Sequence, residues 1–535
     1  MNRWSALALL LAVAGALALR YPKLDQRPLH NDEAINAVKV SALWEKGEFA
    51  YDPNEFHGPT LYYSSLPFLW LSSARDSAEL APTTLRLVPL AFGVGLILLL
   101  LLLRDGLGQL ATLWAVIFTA VSPAMVFYSR YYIHEMLLVC FTALMLAAGW
   151  RYYQSRKAVW AGTAGAALGL MFATKETSIF SIAAMVAAAV STLWWNQWRK
   201  QRAALVSGAI TGGQSSPLHL RGFKRLWNKS HIALAVLAAA VIWLLLFSSF
   251  FANWRGLLDS LLTYLVWFKR AGGQSPHIHP WYFYLERLAW FHQPKGQVWS
   301  EGFILLLAVI GASVAFFSNK AILARPALAR FLAFYTVILT AFYSLISYKT
   351  PWCLLNFLIG MTLLAGIGAA ALIRLCRSAP ARVLVTSVLV MGVAHLAWEA
   401  WRASQSYAAD RKNPYVYAHT SPDLLKLVDR VEAISRVAAT GPETLVKVIA
   451  PESYWPLPWY LRNFKHVGWW DQLPPDPYAP IVIASTKVRA GLDEKSNKAY
   501  LMTGIYELRP GSFLELYVET ELWKRFVATL PREQE

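Results

Sequence analysis

Apolar runs dominate the chain and set its plan. Crossing a hydrocarbon core about 30 Å thick takes roughly 17 to 25 residues of helix. Runs of this kind fall at 4–19, 83–103, 110–127, 136–150, 158–173, 177–195, 231–251, 302–317, 331–347, 353–373 and 383–401. About eleven spans predict a polytopic α-helical membrane protein. The first run follows Arg3 and ends in small residues, so it also fits a cleaved signal sequence. Under either reading the chain from Arg20 emerges on the far side.

Between the runs the pattern changes. Ile35, Val38 and Ala42 recur at helical spacing behind His30-Asn31-Asp32-Glu33 and stop at Gly47. Leu257–Phe268 reads as an interfacial helix, and the aromatic stretch His277-Ile-His279-Pro-Trp281-Tyr-Phe-Tyr284 suits the headgroup level. Beyond 401 the long runs end. Leu424–Ile434 is helical in period, Leu445–Ile449 and Ile481–Ile483 are β-rich, Phe513–Val518 alternates, and Glu521–Leu530 is helical again. The expectation is a transmembrane domain at 1–401 and a small α/β domain at 402–535.

Composition agrees with this plan. The 535 residues are 56% hydrophobic, with 24 Trp and only 15% charged residues, against about 25% charged in soluble domains. A formal net charge of +18 raises the question of nucleic acid. The positive residues, however, sit in alternate connections: Arg104; Arg151, Arg156 and Lys157; Arg199 to Lys229; Lys320, Arg325 and Arg330; Arg374, Arg377 and Arg382. That is the asymmetry of cytoplasmic loops, and it argues against a nucleic-acid partner. It puts the N-terminus in the cytoplasm and the tail on the extracytoplasmic side of a cytoplasmic membrane. Cys140, Cys353 and Cys376 lie in or beside apolar runs with no paired spacing, which speaks against a disulfide framework or thiolate metal site.

The other connections carry the chemistry. The first outer loop, 20–82, holds Asp32 and Glu33, either a cap and dipole partner for its helix or a general base for an incoming hydroxyl. Tyr128-Ser-Arg130-Tyr131-Tyr132-Ile-His134-Glu135 is far more polar than a turn requires, and Thr174-Lys175-Glu176 and Tyr348-Lys349-Thr350-Pro351-Trp352 repeat the pattern. Charges at this depth are costly and face a cavity more often than lipid, although any one of them can snorkel. Together they fit a lipid-linked sugar phosphate. Arg130, Lys175 and Lys349 would hold the phosphate, and Asp32 would activate the acceptor. His277 and His279 suit an interface role better than a metal pair. No GxGxxG or P-loop is present.

Several stretches resemble the GT-C glycosyltransferases: HNDEAI (30–35), FHGPTLYY (56–63), SRYYIHE (129–135), TKE (174–176), HPWYFYL (279–285), YKTPW (348–352) and WPLPWYLR (455–462). Within that superfamily the chain is most similar to the protein O-mannosyltransferase and aminoarabinose-transferase side, nearest the bacterial and archaeal flippase-activity-associated branch. The resemblance implies a hexosyl transfer from a polyprenyl-phosphate sugar to a protein, lipid or glycan acceptor, with inversion, on the outer face. It implies a first-loop acid as catalytic residue, Asp32 before Glu33, and donor-phosphate contacts from Arg130, Lys175 and Lys349. His57, Tyr131, His134, Glu135, Glu176 and Trp352 complete the expected substrate site. No cofactor is expected, although Asp32, Glu33 and Glu135 could together hold one divalent ion. The alternatives are a flippase for the lipid-linked sugar, or a non-catalytic accessory to one, using the same cations. Charges at one surface without an inverted repeat favour the enzyme. WPLPWYLR is expected to pack the tail onto the membrane body rather than to bind substrate.

Overall fold

The computed structural model describes residues 3–47, 49–54, 57–206, 228–271, 277–317 and 324–531. Part of the basic 198–229 connection, Gly272-Gly273 and Lys320 lie outside them. Among the described residues, eight helices are long and apolar enough to cross a membrane: Arg3–Arg20, Pro82–Leu107, Glu135–Ser155, Ser178–Ala203, Lys229–Phe247, Pro326–Leu345, Pro351–Leu375 and Ala379–Ser404. Three shorter apolar helices join them, at Gln109–Val121, Ala158–Phe172 and Gly302–Phe317. These coincide one for one with the apolar runs of the sequence. The last helix continues past 401 to Ser404.

The bundle is built around Leu355–Leu375, buried on every side from Leu355 to Ala371. Its small residues permit this position. A methyl group on Gly368 would meet the Leu307 carbonyl oxygen at 2.1 Å, and one on Gly311 would meet that of Leu364 at 2.0 Å. Helices Gly302–Phe317 and Leu355–Leu375 therefore cross with their backbones in contact, the close packing that small residues provide where no water drives association.

The connections sort to two ends. At one, Arg151 pairs with Asp105, and Arg199 and Arg330 donate to the carbonyls of Phe316 and Ala315. At the other, the polar turns meet the first loop and the tail. In that loop, Asn31–Lys46 is a helix opened by a His30 cap and closed by Gly47 at φ 67°, as its spacing predicts. Thr60–Trp70 is a second helix, containing Pro67.

The tail is a five-stranded sheet packed against two longer helices. Its strands are β1 (Val446–Ile449), β2 (Val467–Trp470), β3 (Ile481–Ser485), β4 (Tyr500–Arg509) and β5 (Ser512–Glu519), in the order β2-β1-β3-β5-β4. Both neighbours of β1 run parallel to it, whereas β5 is antiparallel to β3 and β4. Helices Asp423–Val437 and Thr520–Ala528 bury Leu424, Val431 and Phe526 against the Ile481, Ile483 and Leu516 face.

WPLPWYLR is the clasp between tail and body. Trp459 is buried among Leu29, Leu61 and Leu85, and Arg462 donates to the carbonyls of Ser77 (2.7 Å), Ala78 (3.1 Å) and Leu80 (3.1 Å). The Tyr460 hydroxyl accepts from the Leu29 amide at 2.8 Å. Trp459→Ala should weaken this docking by about 3–5 kcal/mol. Faster proteolysis of the 405–420 connection would report it, and an unchanged digestion rate would contradict the clasp.

Candidate functional site

The two adjacent acids of the first loop have opposite fates, because neighbouring residues on a helix point about 100° apart. Glu33 is fully buried. One carboxylate oxygen accepts from Arg86 Nε (2.9 Å) and the Tyr132 amide (3.0 Å). The other accepts from Arg86 Nη2 (2.9 Å), Arg27 Nη2 (2.8 Å) and the His30 amide (2.8 Å). Burial would raise its pKa, but Arg27 and Arg86 outweigh that and hold the carboxyl well below the usual range. With both oxygens engaged, Glu33 has no capacity left to act as a base. Glu33, expected second to Asp32 as catalytic acid, stands here as an anchor: it ties the first loop to helix Pro82–Leu99 and to the 128–134 turn.

Asp32 has the contrasting setting. Its side chain is 44% exposed, and its nearest ionic neighbour is His30 Nδ1 at 3.9 Å. It opens onto a cavity of about 770 Å³ that also receives His57, His134, Glu135, Lys175, Glu176 and Trp352. Six of the residues expected around Asp32 thus meet there. Ile179, Phe180, Ala183, Phe342, Leu345 and Ile346 form an apolar wall of the same cavity.

The remaining expected residues lie elsewhere. Arg130 donates to the carbonyls of Arg20 (2.7 Å), Pro22 (2.7 Å) and Lys23 (3.0 Å), which fixes the chain as it leaves the first helix. Tyr131 is buried under the Arg27 guanidinium, 3.6 Å from its centroid, and both residues border a small separate cleft. Lys349 donates to the carbonyls of His279 (3.0 Å) and Ile346, locking the 277–279 segment to the 348–352 turn behind the cavity wall. Turns leave carbonyls that need donors, and long cations supply them. That competing use of Arg130 and Lys349 is invisible in a sequence.

Lys175 does reach the cavity, but its ammonium is paired with Glu135. His57 Nδ1 stands 2.8 Å from Glu176 Oε2. His277 and His279 approach the Tyr417 hydroxyl at 2.8 and 3.0 Å, an arrangement that braces the loop against the tail connection. Asp32, Glu33 and Glu135 do not converge, and among the described residues no group of three His, Cys, Asp or Glu is placed to hold a metal ion.

Sequence reading passed over Arg27, Arg86, Tyr264 and Trp267. Arg86 had a signal, as a lone cation inside an apolar run. Tyr264 and Trp267 line the cavity from Arg255–Ala271, and only the fold reveals which face of that helix turns inward.

The family model for dolichyl-phosphate-mannose-protein mannosyltransferases matches residues 83–212. Among solved structures, ArnT from Cupriavidus metallidurans, bound to undecaprenyl phosphate, superposes with TM-score 0.61 at 14% identity, over 98% of this chain and 99% of that one. The Archaeoglobus fulgidus oligosaccharyltransferase AglB, in complex with an inhibitory peptide and a dolichol-phosphate, gives 0.55 at 11% identity, over 98% and 77%. No curated protein is significantly similar in sequence. The chain shares the GT-C fold of these two structures.

The division between the two acids has a measurable consequence. Glu33→Ala leaves two buried guanidinium groups without their carboxylate and should cost about 3–5 kcal/mol of stability. Asp32→Ala should change it by no more than about 0.5 kcal/mol. Because the Glu33 pKa is lowered by folding, its contribution is complete above the ordinary glutamate value of about 4.3 and fades as pH falls toward its native value. Thermal unfolding in detergent across pH checks both statements. Equal losses in the two variants would contradict them.

Proposed function

We propose that this chain is a membrane glycosyltransferase that moves a sugar from a polyprenyl-phosphate donor to an acceptor at the extracytoplasmic face, with inversion at the anomeric carbon. The observation that carries the reading is the division of one cavity into two chemistries. A half-exposed carboxylate, an ammonium and an imidazole gather at its polar end, beside a wall of Phe180, Phe342, Leu345 and Ile346. A polyprenyl phosphate sugar is an amphiphile divided in the same way. The fold neighbours captured with undecaprenyl phosphate and dolichol-phosphate support this choice of lipid, and the basic connections at the opposite end support the orientation.

The residues then take distinct parts. The acceptor hydroxyl donates to Asp32, and its oxygen attacks the anomeric carbon from the side away from the phosphate. The carbon–oxygen bond to the phosphate breaks, the electron pair stays on that oxygen, and the acceptor proton passes to Asp32. An ammonium has three N–H donors. Lys175 therefore keeps Glu135 with one and offers others to the charge that develops on the leaving phosphate. Arg130 and Lys349 act one step back, by holding the loops that shape the cavity.

A polyprenyl phosphate carrying a photoreactive group in its first isoprene units tests the lipid assignment. Crosslinks should map to Phe180 and Phe342, compete with unlabelled polyprenyl phosphate, and persist in Asp32→Asn, while turnover in that variant drops about 10²–10⁴-fold. Crosslinks confined to the outer surface of the bundle would sink the proposal.

A further inference from the structure

The cavity has a second ionisable assembly with its own architecture. Residues 57–60 are laced to the turn at 173–176: the Gly58 amide donates to the Thr174 carbonyl (3.1 Å), the Thr60 amide to the Ala173 carbonyl (3.1 Å), and Thr60 Oγ1 to Thr174 Oγ1 (2.8 Å). A methyl group at Gly58 would lie 2.1 Å from the Ala173 carbonyl oxygen, so only glycine allows the two strands of chain to touch. The lacing delivers His57 and Glu176 to one another. Glu176 holds Nδ1 of the imidazole at 2.8 Å, and its other oxygen receives the Tyr51 hydroxyl at 3.4 Å. The ring lies over the Trp267 indole, with centroids 5.1 Å apart and planes 20° from parallel, and meets His134 edge-on at 5.3 Å. A carboxylate on Nδ1 fixes the ring orientation, and the indole face holds its plane.

We infer that His57, oriented by Glu176 and stacked on Trp267, is the general acid that protonates the departing lipid phosphate, working opposite Asp32. The inference rests on the transferase reading of this cavity. As the bond from the anomeric carbon to oxygen breaks, the electron pair remains on the phosphate. The Nε2 proton of the His57 imidazolium moves to a phosphate oxygen, leaving a neutral imidazole. Asp32 meanwhile takes the acceptor proton, and both groups return to their starting states by exchange with water. The sum is donor plus acceptor hydroxyl giving glycoside plus polyprenyl hydrogen phosphate, with no other reactant.

Matching of acidity favours an imidazole over an ammonium for this step. The second proton of a phosphate monoester titrates at about 6 and an imidazole at about 6.5, whereas an ammonium titrates near 10.4. Transfer between matched groups is the efficient case. The groups that share the cavity with His57 are Glu176 and Lys175 from the 173–177 turn, His134 and Glu135 at the start of Glu135–Ser155, Asp32 from Asn31–Lys46, and Tyr264 and Trp267 from Arg255–Ala271, with Tyr51 of the first loop behind Glu176. Burial, with His57 and Lys175 beside it, holds His134 well below the usual imidazole range, so that ring stays neutral.

The test is the pH profile of kcat/KM for transfer from a polyprenyl-phosphate sugar by the full chain in liposomes. Wild type should lose activity on the alkaline side as the imidazolium deprotonates. His57→Asn should be slower by about 10²-fold and lack that limb. Glu176→Gln, which keeps the ring, should move the limb to lower pH because the charge favouring the imidazolium is gone. It provides the answer even where His57→Asn folds poorly. An alkaline limb that persists in His57→Asn, or that stays in place in Glu176→Gln, overturns the assignment while leaving the transferase intact. No donor cleavage by wild type at any pH overturns the transferase reading, and this assignment with it.

Discussion

The buried carboxylate of Glu33 is the interaction on which the working end of the molecule depends. Two guanidinium groups and two backbone amides converge on it, from the first loop, helix Pro82–Leu99 and the 128–134 turn. Removing two cations and an anion from water is expensive, and only a nearly complete set of partners offsets the cost. Once that set is assembled, helix Asn31–Lys46 has one orientation. Asp32, one residue earlier, then opens onto the cavity. Of the adjacent acids, one is thus locked in place and the other left open to the cavity.

A second constraint is charge balance in the cavity. Lys175 faces Glu135, and His57 faces Glu176, so each basic side chain at the polar end already has a carboxylate partner. Such pairs tolerate burial, where a lone ammonium would be driven toward its neutral form. Lys175 also remains able to donate, since its ammonium has hydrogens beyond the one Glu135 takes. The tail domain adds rigidity from above: Trp459, Tyr460 and Arg462 clamp the first loop, and Tyr417 braces His277 and His279.

The legible part of this structure is the part governed by long-range hydropathy. Apolar runs located the membrane helices, and Gly47 behind a helical period located the end of Asn31–Lys46. Helix Thr60–Trp70 was hidden by Pro67, which ordinarily interrupts a helix. Strand β4 escaped because two register shifts, around Gly504 and before Arg509, break its alternation, and β2 is a four-residue edge strand. In the site, residue types pointed to turns that reach the cavity but not to their partners. Nothing local distinguishes Lys175, which lines the cavity, from Arg130 and Lys349, which hold turn carbonyls. The difference lies in which orphan carbonyls the folded chain brings within reach.

The most direct test of the account is release of label from a polyprenyl-phosphate sugar by the purified protein in liposomes, with wild type beside Asp32→Asn. Wild type should transfer the label to acceptor and Asp32→Asn should not, with an unchanged thermal midpoint. Donor left intact by wild type while labelled lipid crosses the bilayer, or equal transfer by both proteins, would contradict it.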